Sequence, residues 1–423
     1  MKNIAKSMAS SGTYQENGVN LDILFLGKLF PREAETEIKR NMKTGMQDAA
    51  NALQWNLIDG FDANHCGTVR ILTLLPIDSY PKGYTKAYIQ ESVFQHSLLY
   101  RSDDTVVGCS NFTIIKQFEN FYPFRRKVRE WCLDGGKRKK VLFCYTASAM
   151  FLSLAKYAKK LNPAVETCCM IADIPEFSSA RELHGLHRIY NDYETRRTAR
   201  LYSAIDKFVL LTEQMADRLR LKSPHIVVEG IAPEPTDAAE TPIPDMLRDQ
   251  KYILYTGTLN YEFGIGTLLE AFEKIQNNDV KLVICGFGAA EAEIQKRKDS
   301  RIVFLGRVDR TQALALQRRA AVLVNPRQNN AEFTKYSFPS KTMEYLASGV
   351  PVVAYKLDGI PDEYDAFIRY VPDQTSETLA AVLSEMCALP QLKRAEIGEK
   401  AKQFVLSEKN AEKQARKILD FLQ

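Results

Sequence analysis

The amino-acid sequence predicts two doubly wound α/β domains in tandem, each a parallel sheet covered by helices on both faces. Three observations carry this. Short apolar runs alternate with longer amphipathic stretches along most of the chain, as strands joined by crossover helices require. A proline-rich segment, IAPEPTDAAETPIP, follows Gly230 and interrupts the alternation, which then restarts. At 423 residues, with 45% hydrophobic and 26% charged residues, the chain is too long for one ordinary core and has the balance of a soluble globular protein.

Taken in order, residues 1–20 lack the apolar stretch of a signal peptide and read as a loose leader. Strands are expected at 21–26, 69–75, 105–109, 140–145, 165–171, 207–211 and 226–228, with helices at 147–160, 181–204 and 213–219. These form an N-terminal domain over 21–232. The linker is 233–244, and a second domain spans 245–405. There the pattern predicts strands at 252–255, 280–285, 302–305, 321–324 and 350–354, and helices at 264–275, 289–296, 310–320 and 340–348. Within the tail, 406–423, Ala411, Ala415, Ile418, Leu419 and Leu422 share one helical face, which predicts a closing helix that joins the first domain.

Composition excludes several classes. No window approaches the roughly 18 apolar residues of a spanning helix. The eight cysteines are scattered without a C-x-x-C, as reduced packing residues of a cytoplasmic chain would be, and five histidines offer little for zinc. The net charge is +5, and between Arg125 and Lys140 eight basic residues face two acidic ones, so one stretch holds the whole positive excess. Aromatic residues from Phe118 to Trp131 interleave with it. Residues 118–140 therefore read either as an amphipathic contact with an anionic membrane or as a helix that packs its aromatics inward. No nucleic-acid motif accompanies the charge.

Ligands of open α/β sheets bind at the carboxyl ends of the strands. In the second half those ends carry Gly257 to Asn260, Gly286 to Gly288, Gly306-Arg307-Val308 and Asn325-Pro326-Arg327. The Gly-Phe-Gly at 286–288 starts a dinucleotide fingerprint but has Glu291 at its third position, so turn glycines explain it as well. The sharpest stretch is NPRQNNAEFTKYSFPSKTMEYLASGVPVVAY, 325–355. Pro339 suits a first helical turn, leaving the amides of Ser340 and Lys341 at a positive helix end fit for phosphate. Arg327 and Lys341 add charge, and Glu344 offers a carboxylate to a ribose diol or simply favours a helix start. Together they describe a nucleotide-sugar site.

These blocks make the chain resemble the family 4 (group 1) glycosyltransferases of the GT-B fold, two Rossmann-like domains that face a central cleft. The blocks are YTGTLNYEFGIGTLLEAFEKI, KLVICGFGAAEAEI, IVFLGRV and FPSKTMEYLASGVPVVAY, with LFLGKLFP and DKFVLLTEQMADRL in the first half. The resemblance implies a retaining hexosyltransferase that moves sugar from a UDP- or GDP-linked donor, with neither a cofactor nor a bound metal. It implies that Glu344 holds the ribose, that Ser340 and Lys341 meet the diphosphate, and that Gly306, Arg307 and Val308 face the base. Gly27 lets the diphosphate approach the first domain, and Gly257, Asn260 and Gly286 line the donor side.

The family's first glutamate is Tyr336 here, with Glu332 the nearest upstream carboxylate. Its diphosphate-gripping lysine is Phe263, so either Arg327, Lys335 or Lys341 supplies that charge or the donor binds weakly. Asp173 either acts on the acceptor hydroxyl or caps a helix ahead of Ile174 and Pro175. The catalytic set expected is Lys341, Arg327, Glu332 and Asp173. The acceptor is expected to be a saccharide or lipid-linked, in cell-surface polysaccharide or glycolipid assembly, with peripheral attachment at the inner membrane face. Alternatives are a nucleotide-sugar epimerase on the same scaffold and a binding partner without turnover.

Overall fold

The computed structural model describes residues 20–43, 48–97, 103–113, 121–174, 186–234 and 241–423. Most of the leader at 1–20, the middle of the 233–244 linker, Phe118 and the start of the helix expected at 181–204 lie outside the described residues.

The first sheet has eight strands: β1 (Leu21–Gly27), β2 (Gly67–Thr73), β4 (Ser92–Phe94), β5 (Asp104–Val106), β7 (Lys139–Tyr145), β8 (Glu166–Ile171), β9 (Lys207–Leu210) and β10 (His225–Val227). Their order is β10-β9-β8-β7-β1-β2-β5-β4. Of these, β4 alone runs antiparallel to its neighbour. A two-stranded pair, β3 (Tyr88–Ile89) with β6 (Cys109–Ser110), stands apart. Helices α1 (Glu35–Asn41), α2 (Asp48–Ala63), α3 (Phe121–Leu133), α4 (Ala149–Leu161), α5 (Leu186–Leu201) and α6 (Gln214–Leu219) accompany these strands. Strand β1 is buried along its length, as parallel strands covered on both faces are.

The second sheet is built from β11 (Lys251–Thr258), β12 (Val280–Phe287), β13 (Ile302–Gly306), β14 (Val322–Asn325), β15 (Val352–Tyr355) and β16 (Ile368–Val371). Their order is β13-β12-β11-β14-β15-β16, and every pairing is parallel. Helices α7 (Ile265–Glu273), α8 (Glu291–Lys296), α9 (Arg310–Arg319), α10 (Ser340–Ala347), α11 (Ser376–Ala388) and α12 (Gln391–Glu408) pack on it. Alternation along β11 is visible in the core: Ile253 and Tyr255 join one apolar cluster, Tyr252 and Leu254 the other. In both domains the strand order reverses beside the first strand, at β1/β7 and at β11/β14.

The tail helix α13 (Ala411–Leu422) packs on α2, and its Ala415, Ile418, Leu419 and Leu422 complete the first domain's core. Asn64 Nδ2 donates to Glu412 O at 2.8 Å. The chain thus crosses back between domains just before Asn410, later than the boundary expected at 405. At this junction Lys409 Nζ, almost buried, lies 2.6 Å from both Glu229 and Glu363, and Tyr364 Oη donates to Glu229 at 2.6 Å.

The basic stretch divides its residues between core and surface. On α3, Phe124, Val128 and Trp131 point into the core, while Tyr122, Arg125, Arg126 and Arg129 are exposed. Lys140 is consumed inside, donating to Asp22 at 2.9 Å and to Trp131 O at 2.8 Å. Lys139 bonds the tail at Leu422 O. Strands β3, β4 and β16 and helices α1, α2, α11 and α12 are elements the periodicity did not announce. No helix among the described residues is long and apolar enough to cross a membrane. All eight cysteines are buried and free, and burial pushes the Cys66 thiol up to about 12.

Candidate active site

The carboxyl edge of the second sheet gathers the residues the sequence singled out. At its centre is α10, which begins after Pro339 with no side-chain cap, so its first amides are left for a ligand. Ser340 is exposed there. One turn in, Glu344 is a largely but not fully buried carboxylate with two partners on the same oxygen: Gln317 Nε2 donates to Oε1 at 2.6 Å and Lys341 Nζ at 3.1 Å. Burial by itself raises the pKa of this carboxyl. The Lys341 charge, the Gln317 bond and the Arg310 charge outweigh that, and the carboxyl is held below its ordinary range. Glu344 therefore stays ionised at neutral pH, with Oε2 left for a ligand.

Gln317 carries no site signal in the sequence. It lies on α9, a polar helix, yet is fully buried, and its amide also donates to Thr256 Oγ1 at 3.1 Å. Tyr345 Oη in turn accepts from the Thr256 amide at 2.8 Å. One buried network thus ties α9 and α10 to the end of β11.

Arg327 follows β14 across the switch point from the loop after β11. Its guanidinium carbon lies 4.4 Å from the Phe333 ring centroid and 5.3 Å from that of Phe263, and Nη2 donates to Ser337 Oγ at 3.2 Å. Desolvation brings the group down to about 10, opposed by the charges of Glu262, Tyr255 and Asp173, so it remains cationic at neutral pH. Asp173, just past β8 in the first domain, is exposed, but its surroundings desolvate the carboxyl and hold it above the ordinary range, with Arg327 pulling the other way. The residues from 175 on, where a helix capped by Asp173 would start, lie outside those described. Arg327 and Asp173 sense one another's charge across the two domains, as a shared cleft requires.

Other expected residues have different employment. Glu332 is exposed and accepts from Tyr336 Oη at 3.4 Å, so the residue at the missing first glutamate and its nearest substitute bind each other. Glu344 is held by Gln317 and Lys341 instead. After Gly27 the backbone amides are already bonded: Lys28 N donates to Gln54 Oε1, Leu29 N to Thr73 Oγ1 and Phe30 N to Asn51 Oδ1, at 2.8 to 2.9 Å. That loop is a braced wall, not a row of open donors. Gly257 and Gly286 pair across β11 and β12, and a Cβ on Gly286, at φ +145, would lie 1.8 Å from Gly257 O. Backbone approach explains this pair without a ligand. Asn260 Oδ1 accepts from Ala289 N at 3.4 Å and ties two loops.

Gly306, with φ +65, has nothing within 4 Å of its Cβ direction, and Val308 packs on the core. Arg307 lies over the half-exposed Phe287 ring at 5.2 Å. Lys335 is exposed, while its carbonyl accepts from Thr212 of the first domain at 2.9 Å. Among the described residues no three His, Cys, Asp or Glu side chains are grouped to hold a metal.

Comparison with known proteins bears on the same region. Residues 250–388 match the family described as Glycosyl transferases group 1. A curated relative, an uncharacterized glycosyltransferase of Methanocaldococcus jannaschii, is 32% identical over 118 residues, which are 26% of this chain and 29% of that protein. The match therefore spans less than a third of that relative's length. Among solved structures, the sucrose-phosphate synthase of Thermosynechococcus elongatus is 17% identical with a TM-score of 0.62, over 95% of this chain and 98% of its own. An α,α-trehalose-phosphate synthase (UDP-forming) of Burkholderia xenovorans, in complex with glucose-6-phosphate, is 12% identical with a TM-score of 0.61, over 96% and 100%. These likenesses show the fold: the chain has the GT-B architecture over nearly its whole length.

Proposed function

We propose that this chain is a retaining glycosyltransferase that transfers a hexose-type sugar from a nucleoside-diphosphate sugar to an acceptor hydroxyl. The observation that carries the reading is the ionised, part-buried Glu344, fixed by Gln317 and Lys341 one turn inside the uncapped start of α10. A ribose diol satisfies the free carboxylate oxygen, and the diphosphate falls to the amides of Ser340 and Lys341. The group 1 match over this same domain and the UDP-forming fold relative support it.

In the reaction the bond from the anomeric carbon to the β-phosphate oxygen breaks and a new bond forms to the acceptor oxygen, on the same face of the sugar. Charge grows on the departing diphosphate, and Arg327, Lys341 and the Ser340 amide are set to stabilise it, which is the largest contribution expected in such a step. These cations take the part that a bound metal has elsewhere. The proton of the acceptor hydroxyl leaves toward Asp173 or the departing phosphate oxygen, and the raised affinity of Asp173 for protons suits either orienting or accepting. Glu332, at the approach to α10, is assigned a supporting role near the sugar.

The acceptor is read as a saccharide or lipid-linked saccharide of cell-surface polysaccharide assembly. The exposed face of α3, with Arg125, Arg126 and Arg129, provides contact with the inner face of an anionic membrane. Tyr336 in place of a glutamate favours a second reading, a donor-binding protein without turnover. Incubation with UDP- and GDP-linked sugars and a panel of saccharide acceptors decides. Release of free nucleoside diphosphate with an α-linked product is expected; an isomerised nucleotide sugar means epimerisation, and tight binding without turnover means the second reading.

A further inference from the structure

Two aromatic rings from separate loops close on one guanidinium at the point where the second sheet reverses its strand order. Phe263 belongs to the loop after β11, and Phe333 to the turn that leads to α10; Arg327, from the end of β14, lies against both. The loop from Leu259 to Gly264 contains no lysine or arginine, and Arg327 is the cation that lies against its Phe263. The packing that brings the rings together is tight. Gly264 holds φ +81, and a Cβ there would lie 1.9 Å from Pro326 O, so the segment carrying Phe263 is pressed onto the residue before Arg327.

Arg327 has polar capacity to spare. Its Nη2 donates to Ser337 Oγ, while Nε–H is buried without a partner. Glu262 and Asp173 act on it through space, and neither is bonded to it. A buried donor without an acceptor is costly in a finished protein, and an entering oxyanion removes that cost. The two rings also exclude water from part of the guanidinium's surroundings, and a charge–quadrupole contact of this kind leaves its N–H groups free to bond an oxyanion.

We propose that Phe263 and Phe333 are positioning residues that hold Arg327 as the anchor for the donor's β-phosphate. This rests on the nucleotide-sugar reading above and adds to it the group that fixes the leaving diphosphate. Phe263, which stands where the family resemblance expects a lysine, thereby contributes through a displaced arginine the charge its own side chain lacks.

Calorimetry on the full chain tests this with UDP, GDP and ADP against UMP, GMP and AMP, reading the ratio of monophosphate to diphosphate dissociation constants. The wild type is expected to favour a diphosphate strongly. Phe263→Ala and Phe333→Ala are expected to shrink that ratio about tenfold with a smaller change in monophosphate affinity, and Phe263→Trp to retain it. Arg327→Ala is expected to shrink it at least as far. Both rings are half-buried, and the melting temperature of each variant shows whether it is folded. If Phe263→Ala unfolds, Phe333→Ala and Phe263→Trp read the same ratio. An unchanged ratio in Arg327→Ala, or equal losses for mono- and diphosphate in the phenylalanine variants, overturns the clamp and leaves the nucleotide-sugar reading standing. A wild type that binds none of the six nucleotides overturns both.

Discussion

Gln317 Nε2 stands 2.6 Å from Glu344 Oε1, a contact between two helices that flank β14, and it makes the carboxylate the most constrained group of the site. The same oxygen receives Lys341 Nζ at 3.1 Å. A buried acid without such partners would take up a proton; this one gives it up more readily than an exposed glutamate.

A pH dependence follows, with a definite sign. Because the folded carboxyl is held low, the ionised form stabilises the native state above the ordinary glutamate range, near pH 4.3. That contribution is lost only as pH falls through the lower folded value. Nucleotide affinity in the wild type is expected to stay level down to about that range. Gln317→Leu and Lys341→Met are each expected to move the acid limb to higher pH, and titration of affinity against pH reads it. Coincident limbs in all three proteins would detach Glu344 from the ligand.

Lys341→Ala reports on the chemical step. Removing one donor to a developing oxyanion typically costs about 2.7–4 kcal/mol. Release of nucleoside diphosphate from the donor sugar is expected to slow at least tenfold with the melting temperature retained. Turnover equal to wild type removes Lys341 from the mechanism.

The domain junction has its own test in Lys409. Its ammonium, almost buried, meets Glu229, of which only 2% of the side chain is exposed. Lys409→Met strands that carboxylate and is expected to cost about 3–5 kcal/mol in chemical denaturation. Adding Glu229→Leu is expected to recover part of the loss, because it removes the stranded buried charge, while the half-exposed Glu363 is left to water and the Tyr364 hydroxyl loses its acceptor. Desolvation lowers the Lys409 pKa, but the two glutamates outweigh it and the net shift is upward. Its contribution is therefore complete below about pH 10.4 and fades as pH rises through the higher folded value.

The surface of α3 bears on location. Reversing charge at Arg126 and Arg129 is expected to lower cosedimentation with phosphatidylserine vesicles at low salt while leaving thermal stability nearly unchanged; Arg125 is kept because it lies 4.5 Å from the Tyr157 ring centroid. Each such residue contributes on the order of 1 kcal/mol near an anionic surface. Equal recovery of the wild type on neutral and anionic vesicles ends the membrane reading.

Much of this protein is legible in its amino-acid sequence. Period and punctuation announce two parallel-sheet domains, the helix starting at Ser340 and the tail helix, since parallel strands buried on both faces must be near-continuously apolar and an amphipathic tail must cover something. Arg327, Lys341 and Glu344 draw attention in the sequence because they are charged and surround a strand end and a helix start, though a carboxylate there can also serve the helix alone. Tertiary structure alone decides the rest. Gln317 reads as a solvated residue of a polar helix until α9 and α10 close on it. Phe263 reads as a missing lysine until the loop carrying it is pressed against Pro326 and its ring meets Arg327. Gly27 reads as an open approach for a diphosphate, and only the fold shows that Asn51, Gln54 and Thr73 bond the amides that follow it. A sequence records which groups exist and their local period; which of them are paired, stacked or left open depends on contacts between residues far apart along the chain.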